Sequence, residues 1–168
     1  MGPYLKRLQE EIASAVAGLS AEQMNLHPPG KWCAAEVLEH LYLTYTGTTK
    51  GFNRVIEAGK LSATPASWRQ RGRRLVVVRL GYLPSGREAP PMTRPKGLPR
   101  ENVQAEIVGQ IAEMDKLIGQ CEEKFGSGKQ LLDHPILGPL TGAQWRKFHL
   151  VHGRHHLKQI QALRGGSS

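Results

Sequence analysis

The sequence predicts an all-α protein: a bundle of four helices with a long loop between the second and the third. Apolar residues recur every three or four positions in four separate segments, the period of an amphipathic helix. The segment boundaries carry the capping residues and glycines that are typical of helix ends. The chain of 168 residues is long enough to enclose one core. We therefore predict a single domain over residues 1–168.

The first two long helices are predicted from their apolar stripes. Residues 3–18 begin with a proline that suits a first helical turn. Residues 20–23, Ser-Ala-Glu-Gln, fit a capping box for one short turn. The second long helix is predicted from near Cys33 to about Gly59, with cysteine at a cap position where serine is the better residue. The stripes consist of Leu5, Leu8, Ile12, Val16 and Leu19, and of Trp32, Val37, Leu41, Tyr45 and Phe52.

Residues 60–99 have no sustained helical period. Val76 to Val78 fit either a short strand or the continuation of a helix, and GYLPSGREAPPMTRPKGLP follows them. Such a stretch predicts a long loop rich in proline, glycine and arginine that lies over the opening of the bundle. The basic residues of this part are Arg69, Arg71, Arg73, Arg74, Arg79, Arg87, Arg94, Lys96 and Arg100.

The third and fourth helices complete the predicted bundle. Apolar residues at helical spacing predict the third helix over residues 102–125 and the fourth over residues 145–163. Residues 133–139 form a tight connector between them. Thr141 and Gln144 fit a capping box for the last helix, and Gly165 with Gly166 supplies its end.

Composition and charge exclude several classes of protein. No apolar segment reaches the roughly 18–20 residues of a membrane span, and no signal pattern opens the chain, so we expect a cytoplasmic protein that does not enter a membrane. The formal charge of +9 admits an anionic ligand or a solvated basic loop. Nucleic acid is disfavoured as a partner, because the basic part lacks interleaved aromatic residues and helix-turn-helix spacing.

The two cysteines do not indicate a disulfide or a catalytic motif. Cys33 and Cys121 are far apart and form no CxxC pair. Cys33 at a helix N-terminus is either a thiol with a lowered pKa or a structural residue. No GxSxG motif supports a serine nucleophile.

Four of the seven histidines lie in the last helix. His152 and His156 are one helical turn apart on the same face, the spacing at which two imidazoles bind one metal ion. His149 continues this stripe one turn earlier, whereas His155 is rotated away from it. Their roles are left open.

His40 on the second helix is the candidate third ligand. It lies beside the apolar stripe, where a histidine is either a core residue with a hydrogen-bond partner or a ligand; it is a ligand only if it faces His152 and His156. His134 either leans toward this site or bonds to the backbone of its loop. Three neutral imidazoles would leave coordination positions open, as in catalytic zinc sites. A carboxylate-rich two-metal site is disfavoured, because Glu36 and Glu39 have no counterpart in the last helix.

Three sequence motifs resemble the DinB-like superfamily of proteins regarded as metal-dependent enzymes. They are KWCAAEVLEHL, GYLPSGREAP and HPILGPLTGAQWRKFHLVHGRHHLKQI. The resemblance implies a bundle with up-down-down-up topology, a metal triad of His40, His152 and His156, and a homodimer. Some relatives transfer low-molecular-weight thiols, and others are hydrolases or isomerases. Relatives usually carry serine at the position of Cys33.

Two functional hypotheses follow from the residues and from this resemblance. In the first, a divalent metal, zinc or nickel, activates a thiol or water to attack a small electrophilic substrate, with a low-molecular-weight thiol as co-substrate and the basic loop holding an anion. In the second, the chain is a non-enzymatic metal-binding or stress-response interaction module. The sequence names neither the substrate nor the metal.

Overall fold

Helices make up most of the chain in the computed structural model, which describes residues 1–61, 63–84, 86 and 88–165. Within these ranges the α-helices are α1 (Pro3–Val16), α2 (Ala21–Asn25), α3 (Ala34–Ala58), α4 (Trp68–Arg74), α5 (Arg100–Phe125) and α6 (Gly142–Gly165). A hairpin of two short strands, β1 (Leu132–His134) and β2 (Gly138–Leu140), lies between α5 and α6. Among the described helices, none is both long enough and apolar enough to cross a membrane.

The four long helices enclose the core with the faces that their periodicity predicts. Helix α3 packs along α5, α1 packs along α6, and further contacts join α3 to α6 and α5 to both α1 and α6. The predicted stripe residues Leu5, Leu8, Leu41, Tyr45 and Phe52 are fully buried. Burying apolar surface of this kind is the main favourable contribution to folding.

The predicted helix starts are confirmed by their hydrogen bonds. The backbone N–H of Gln144 donates to Thr141 Oγ1 (3.3 Å), and the N–H of Thr141 donates to Gln144 Oε1 (3.0 Å). Ser20 and Gln23 form the same reciprocal pair before α2. These side chains satisfy N–H groups that have no partner inside their own helix. Helix α6 runs to Gly165, and Gly166 lies outside the described residues.

The prediction of one long loop over residues 60–99 is wrong for its central part. Ser67 caps α4 through a reciprocal pair with Gln70, and a π-helical turn (Leu75–Arg79) continues α4. The Arg74 guanidinium donates to the carbonyl of Pro139 at 2.8 Å, which fixes α4 against the hairpin. Periodicity missed this helix because it lies on the surface and buries none of its own residues. Arg87 of the predicted basic loop lies outside the described residues, and so does Ser85.

Residues 88–99, which we call the strap, lie against α3. A single 3₁₀ turn (Pro91–Thr93) packs on α3. The buried carboxylate of Glu39 accepts hydrogen bonds from the backbone N–H groups of Lys96 (2.6 Å) and Gly97 (3.2 Å). A buried carboxylate needs such donors, so Glu39 serves as the anchor of the strap on α3.

The hairpin departs from the all-α prediction. Antiparallel pairing aligns Leu132 with Leu140 and His134 with Gly138, across the segment expected to be a tight connector. Gly138 has a φ of 73°, a conformation that favours glycine. Strands of three residues are too short to show an alternating pattern, so no sequence period predicts them.

Candidate metal centre

The fold brings together His40, His152 and His156, which we call the histidine trio. The sequence separates His40 of α3 from His152 of α6 by 112 positions, yet their Nε2 atoms are 3.4 Å apart. One ring nitrogen from each member of the trio lies within 4.8 Å of the others, so the group could hold a metal ion. Two nitrogens bound tetrahedrally at 2.0–2.1 Å to one zinc ion would be about 3.4 Å apart.

Hydrogen bonds fix which nitrogen of His40 and which nitrogen of His156 can accept a metal. His40 Nδ1 lies 2.7 Å from the carbonyl oxygen of Thr93, and His156 Nδ1 lies 3.0 Å from Gln159 Oε1. Both oxygens can only accept, so both Nδ1 atoms carry the proton and both Nε2 atoms present a lone pair. This is the arrangement by which outer hydrogen bonds orient metal-binding histidines. His152 Nδ1 is buried and has no partner within the described residues.

Burial keeps the trio neutral, which is the state that binds a metal. It lowers the pKa of His40, lowers that of His156 to about 4, and lowers that of His152 well below the usual value. His156 and His40 also depress the pKa of His152, and His40 depresses that of His156, because a positive charge on one ring disfavours a charge on the next. Aromatic rings complete the surroundings: Trp32 lies 5.3 Å from His40, and Phe148 stacks on His152 at 5.5 Å, both between ring centroids.

The other histidines of this region lie outside the trio. His155, rotated as predicted, borders it, with its ring centroid 5.1 Å from that of His156. His134 Nδ1 accepts hydrogen bonds from the backbone N–H groups of Ile136 (3.1 Å) and Leu137 (3.2 Å), and its ring also lines the cleft described below. The loop-bonded interpretation of His134 therefore holds, although the residue does reach the site.

His149, expected to continue the metal-facing stripe, lies in the core instead. Its ring is fully buried, stacks on Trp145 at 5.6 Å and meets Tyr45 edge to face at 5.4 Å. Neither of its ring nitrogens has a partner within the described residues. Burial, with a smaller contribution from His134, lowers the pKa of His149 to about 3.

We expect the variant His149→Leu to be more stable than the wild-type protein, and more so in acid. An unfolded chain takes up a proton at this residue as the pH falls through 6.5, whereas the folded protein stays neutral down to about pH 3. The wild-type protein thus loses stability as the pH falls, and the advantage of the variant should grow by about 2 kcal/mol between pH 8 and pH 5. Urea unfolding at both pH values, with EDTA present, measures it.

The matched control for this variant is Tyr45→Phe, which removes a buried hydroxyl from the same cluster. The change in unfolding free energy that it causes should be equal at pH 8 and pH 5, because Tyr45 does not titrate there. A pH-independent effect of His149→Leu would contradict the buried neutral state of the histidine.

The hypothesis of an activated thiol at Cys33 is not supported. Burial is the largest influence on this thiol and raises its pKa. The Cys33 backbone N–H donates to Glu36 Oε2 (2.9 Å), which also pairs with His27 Nε2 (2.9 Å). One ligand atom each of His27, Cys33 and Glu36 lies within 4.8 Å of the others, but the cap and this ion pair account for their proximity. Cys33 therefore acts as a structural helix cap.

The histidine trio opens into a cleft of about 1830 Å³. Its walls come from α3, the turn after α4, the strap, the hairpin and α6. This volume exceeds the roughly 300–1,000 Å³ of pockets that hold one drug-sized molecule. A site that holds metal only for structural reasons is closed by its ligands, whereas this one leaves room for a substrate beside the three imidazoles.

Sequence reasoning missed the residues that orient the trio. Thr93 contributes a backbone carbonyl, which any residue could supply, so no sequence signal marks it. Gln159 follows His156 by three positions on α6, and this i,i+3 spacing is a signal that could have identified it. Trp32 was assigned to the core stripe, but it lies half-buried beside His40.

Comparison with known proteins gave one match. The model of a family described as "Protein of unknown function (DUF1569)" matches residues 5–162 of the chain, which include every member of the histidine trio. No curated protein matches the chain, and no solved structure matches it.

Proposed function

The chain belongs to the DUF1569 family, whose function is unknown, and from its histidine trio we propose a metal-dependent enzyme that acts on a small electrophilic substrate. The observation that carries this proposal is the pair of Nδ1–H groups held by Thr93 and Gln159. They present the Nε2 lone pairs of His40 and His156 beside His152 at the edge of a wide cleft.

The donor set fits a divalent ion with affinity for imidazole. Zinc and nickel both suit three neutral nitrogen ligands, and we propose one of these as the metal of His40, His152 and His156. When bound, such an ion would supply Lewis acidity and lower the pKa of a coordinated water or thiol. Three ligands from the protein leave coordination positions for that molecule.

The chain's own residues orient the ligands and exclude water. Thr93 O and Gln159 Oε1 hold the rings of His40 and His156 in one tautomer and direction. Phe148 covers the ring of His152, and Trp32 covers that of His40, so both rings are shielded from bulk water on one side. Interactions of charge are stronger in such an environment than in water.

We propose transfer of a low-molecular-weight thiol as the reaction, with hydrolysis by water as the related alternative. The thiol loses its proton to solvent, and its sulfur attacks the electrophilic carbon. A carbon–sulfur bond forms while the bond to the leaving group breaks, and the leaving group departs with the electron pair. Neither cysteine of the chain takes part, since both are buried and burial raises the pKa of both thiols.

The resemblance to DinB-like proteins adds a topology and an oligomeric state to this proposal. We propose that α1, α3, α5 and α6 form a bundle of up-down-down-up topology and that two copies associate as a dimer. The pairing of α3 with α5 and of α1 with α6 supports the bundle. Light scattering measures the mass in solution, and a monomer at micromolar concentration would contradict the dimer.

Metal-dependent transfer by the purified protein tests the proposed function. Protein stripped with EDTA and reloaded with one equivalent of Zn²⁺ or Ni²⁺ is mixed with cysteine and a panel of halide, epoxide and ester electrophiles. We expect turnover above that of the free metal, abolished by EDTA and by His40→Ala. Metal binding without turnover of any electrophile, by thiol or by water, would contradict the enzymatic proposal.

A further inference from the structure

The cleft beside the histidine trio has two chemically different parts. Most of its wall is apolar, and the side chains that matter here come from the segments before α3 and after α4, from the strap and from α6. They are Trp32, Val76, Val77, Met92, Phe148 and Leu163. A wall of this kind gains free energy by covering the apolar body of a ligand.

The charged side chains that line the cleft, which we call its rim, include more cations than carboxylates: Lys31, Arg73, Arg94 and Lys158 against Glu88 and Asp133. Among the described residues that line it, the carboxylates belong to Glu88 and Asp133, and both are already engaged. Glu88 pairs with Arg94 at 2.7 Å, and Asp133 accepts the backbone N–H and the hydroxyl of Thr64. Arg94 thus matches the charge of Glu88, and the remaining cations outnumber the one carboxylate of Asp133.

The remaining cations of the described rim are Lys31, Arg73 and Lys158. Each is exposed, and none forms an ion pair or side-chain hydrogen bond within the part of the chain that the structure describes. The lining of the cleft therefore combines a largely apolar wall with cations that outnumber its carboxylates, a combination complementary to a negative group on an apolar body.

From this arrangement we propose that the cleft binds an amphipathic organic anion. Its charged group pairs with at least one of Lys31, Arg73 and Lys158, and its apolar body lies along the wall toward the histidine trio. This inference rests on the proposed function, because it assigns the substrate class of the same site. The cleft volume of about 1830 Å³ leaves space for a second small reactant beside this ligand.

Isothermal titration of the full-length protein with three probes tests the inference. Octanoate has both the charge and the apolar body, 1-octanol has only the apolar body, and acetate has only the charge. We expect octanoate to bind more tightly than either of the others, and its affinity to fall as salt is added. Equal binding of octanoate and octanol, or no binding of octanoate, would overturn the inference.

Variants of the rim locate the anion. We expect at least one of Arg73→Ala, Lys31→Ala and Lys158→Ala to weaken octanoate binding about two- to fivefold, the effect of losing one exposed ion pair, and unchanged affinity in all three would overturn the assignment of the charged group. Arg73→Lys should retain most of the affinity. The matched control is Arg54→Ala, an exposed arginine of α3 that does not line the cleft, and it should leave the affinity unchanged. An equal loss in Arg54→Ala would overturn the assignment of the rim.

Two further arms separate this inference from its alternatives. Titrations with EDTA and after zinc loading distinguish the two proposals. If the protein binds octanoate but no metal, the inference stands and the proposed function is contradicted. If it binds metal but no octanoate, the proposed function stands and the inference is contradicted. An anionic membrane surface is the other source of an amphipathic anion. The protein is therefore also sedimented with phosphatidylglycerol vesicles. If it binds these vesicles but does not bind octanoate, the inference of a soluble ligand is overturned.

Discussion

The variant His152→Ala should lose its metal ion, with an affinity for Zn²⁺ reduced about 100-fold or more. His152 lies against both other members of the trio, since its ring is 5.3 Å from that of His40 and 4.6 Å from that of His156. Loss of an outer hydrogen-bond partner alone costs about 10–100-fold in metal affinity, and loss of a direct ligand costs more. Metal analysis after gel filtration, together with competition against a fluorescent chelator, measures the change.

Two further variants of α6 should reduce the metal affinity less than His152→Ala does. Gln159→Ala removes the acceptor of the His156 Nδ1–H group, so its effect should lie within the range of about 10–100-fold for outer partners. His155→Ala removes a neighbouring imidazole outside the trio and should keep the metal at full stoichiometry. If the protein with all members of the trio changed to alanine still bound one equivalent of metal, the ligand assignment would be wrong.

The variant Asp115→Ala should lower the unfolding free energy by about 3–5 kcal/mol. Asp115 is buried on α5, and its carboxylate pairs with the guanidinium of Arg146 on α6 and accepts the backbone N–H of Gly2 at 2.6 Å. Arg146 also binds Glu122 at 2.8 Å, but the loss of Asp115 leaves a shielded cation with only one of its two partners. Urea unfolding followed by circular dichroism at pH 7 measures the loss.

An exposed ion pair on the same helix supplies the control. Glu113 pairs with Lys116 at 3.2 Å, and 46% of the Glu113 side chain is exposed, against 7% for Asp115. Surface pairs contribute little, so Glu113→Ala should change the unfolding free energy by less than about 0.5 kcal/mol. Equal effects of the two variants would show that Asp115 does not join α5 to α6 in the way its contacts suggest.

Helices with a long apolar stripe could be predicted from the sequence, and those without one could not. The residue ranges of α1, α3 and α5 agree with the predicted segments to within about two residues, and α6 starts at its predicted capping box. Helix α4 was missed because it presents arginines to solvent on most of its surface, and its cap at Ser67 precedes no apolar period. The hairpin was missed because its strands are too short for a pattern to appear.

The candidate site could be predicted in part. The spacing of His152 and His156 predicts that both share a helical face, and they do lie together. The same spacing argument predicted that His149 continues this face, and that prediction is wrong because His149 lies in the core. One turn earlier along α6, the neighbouring element is no longer the cleft but the rings of Tyr45 and Trp145, and they enclose His149 in the core.

The sequence by itself determined the features that depend on near neighbours in the chain: the helical periods, the capping boxes and the histidine pair of α6. Only the tertiary structure decided that His40 meets this pair and that the Thr93 carbonyl orients the ring of His40. It also decided which of the described cations of the cleft lining remain without an ion-pair partner. The physical reason is range. A helix fixes the relative positions of residues one turn apart through its own hydrogen bonds, whereas residues 53 or 112 positions apart meet only where packed helices bring them together.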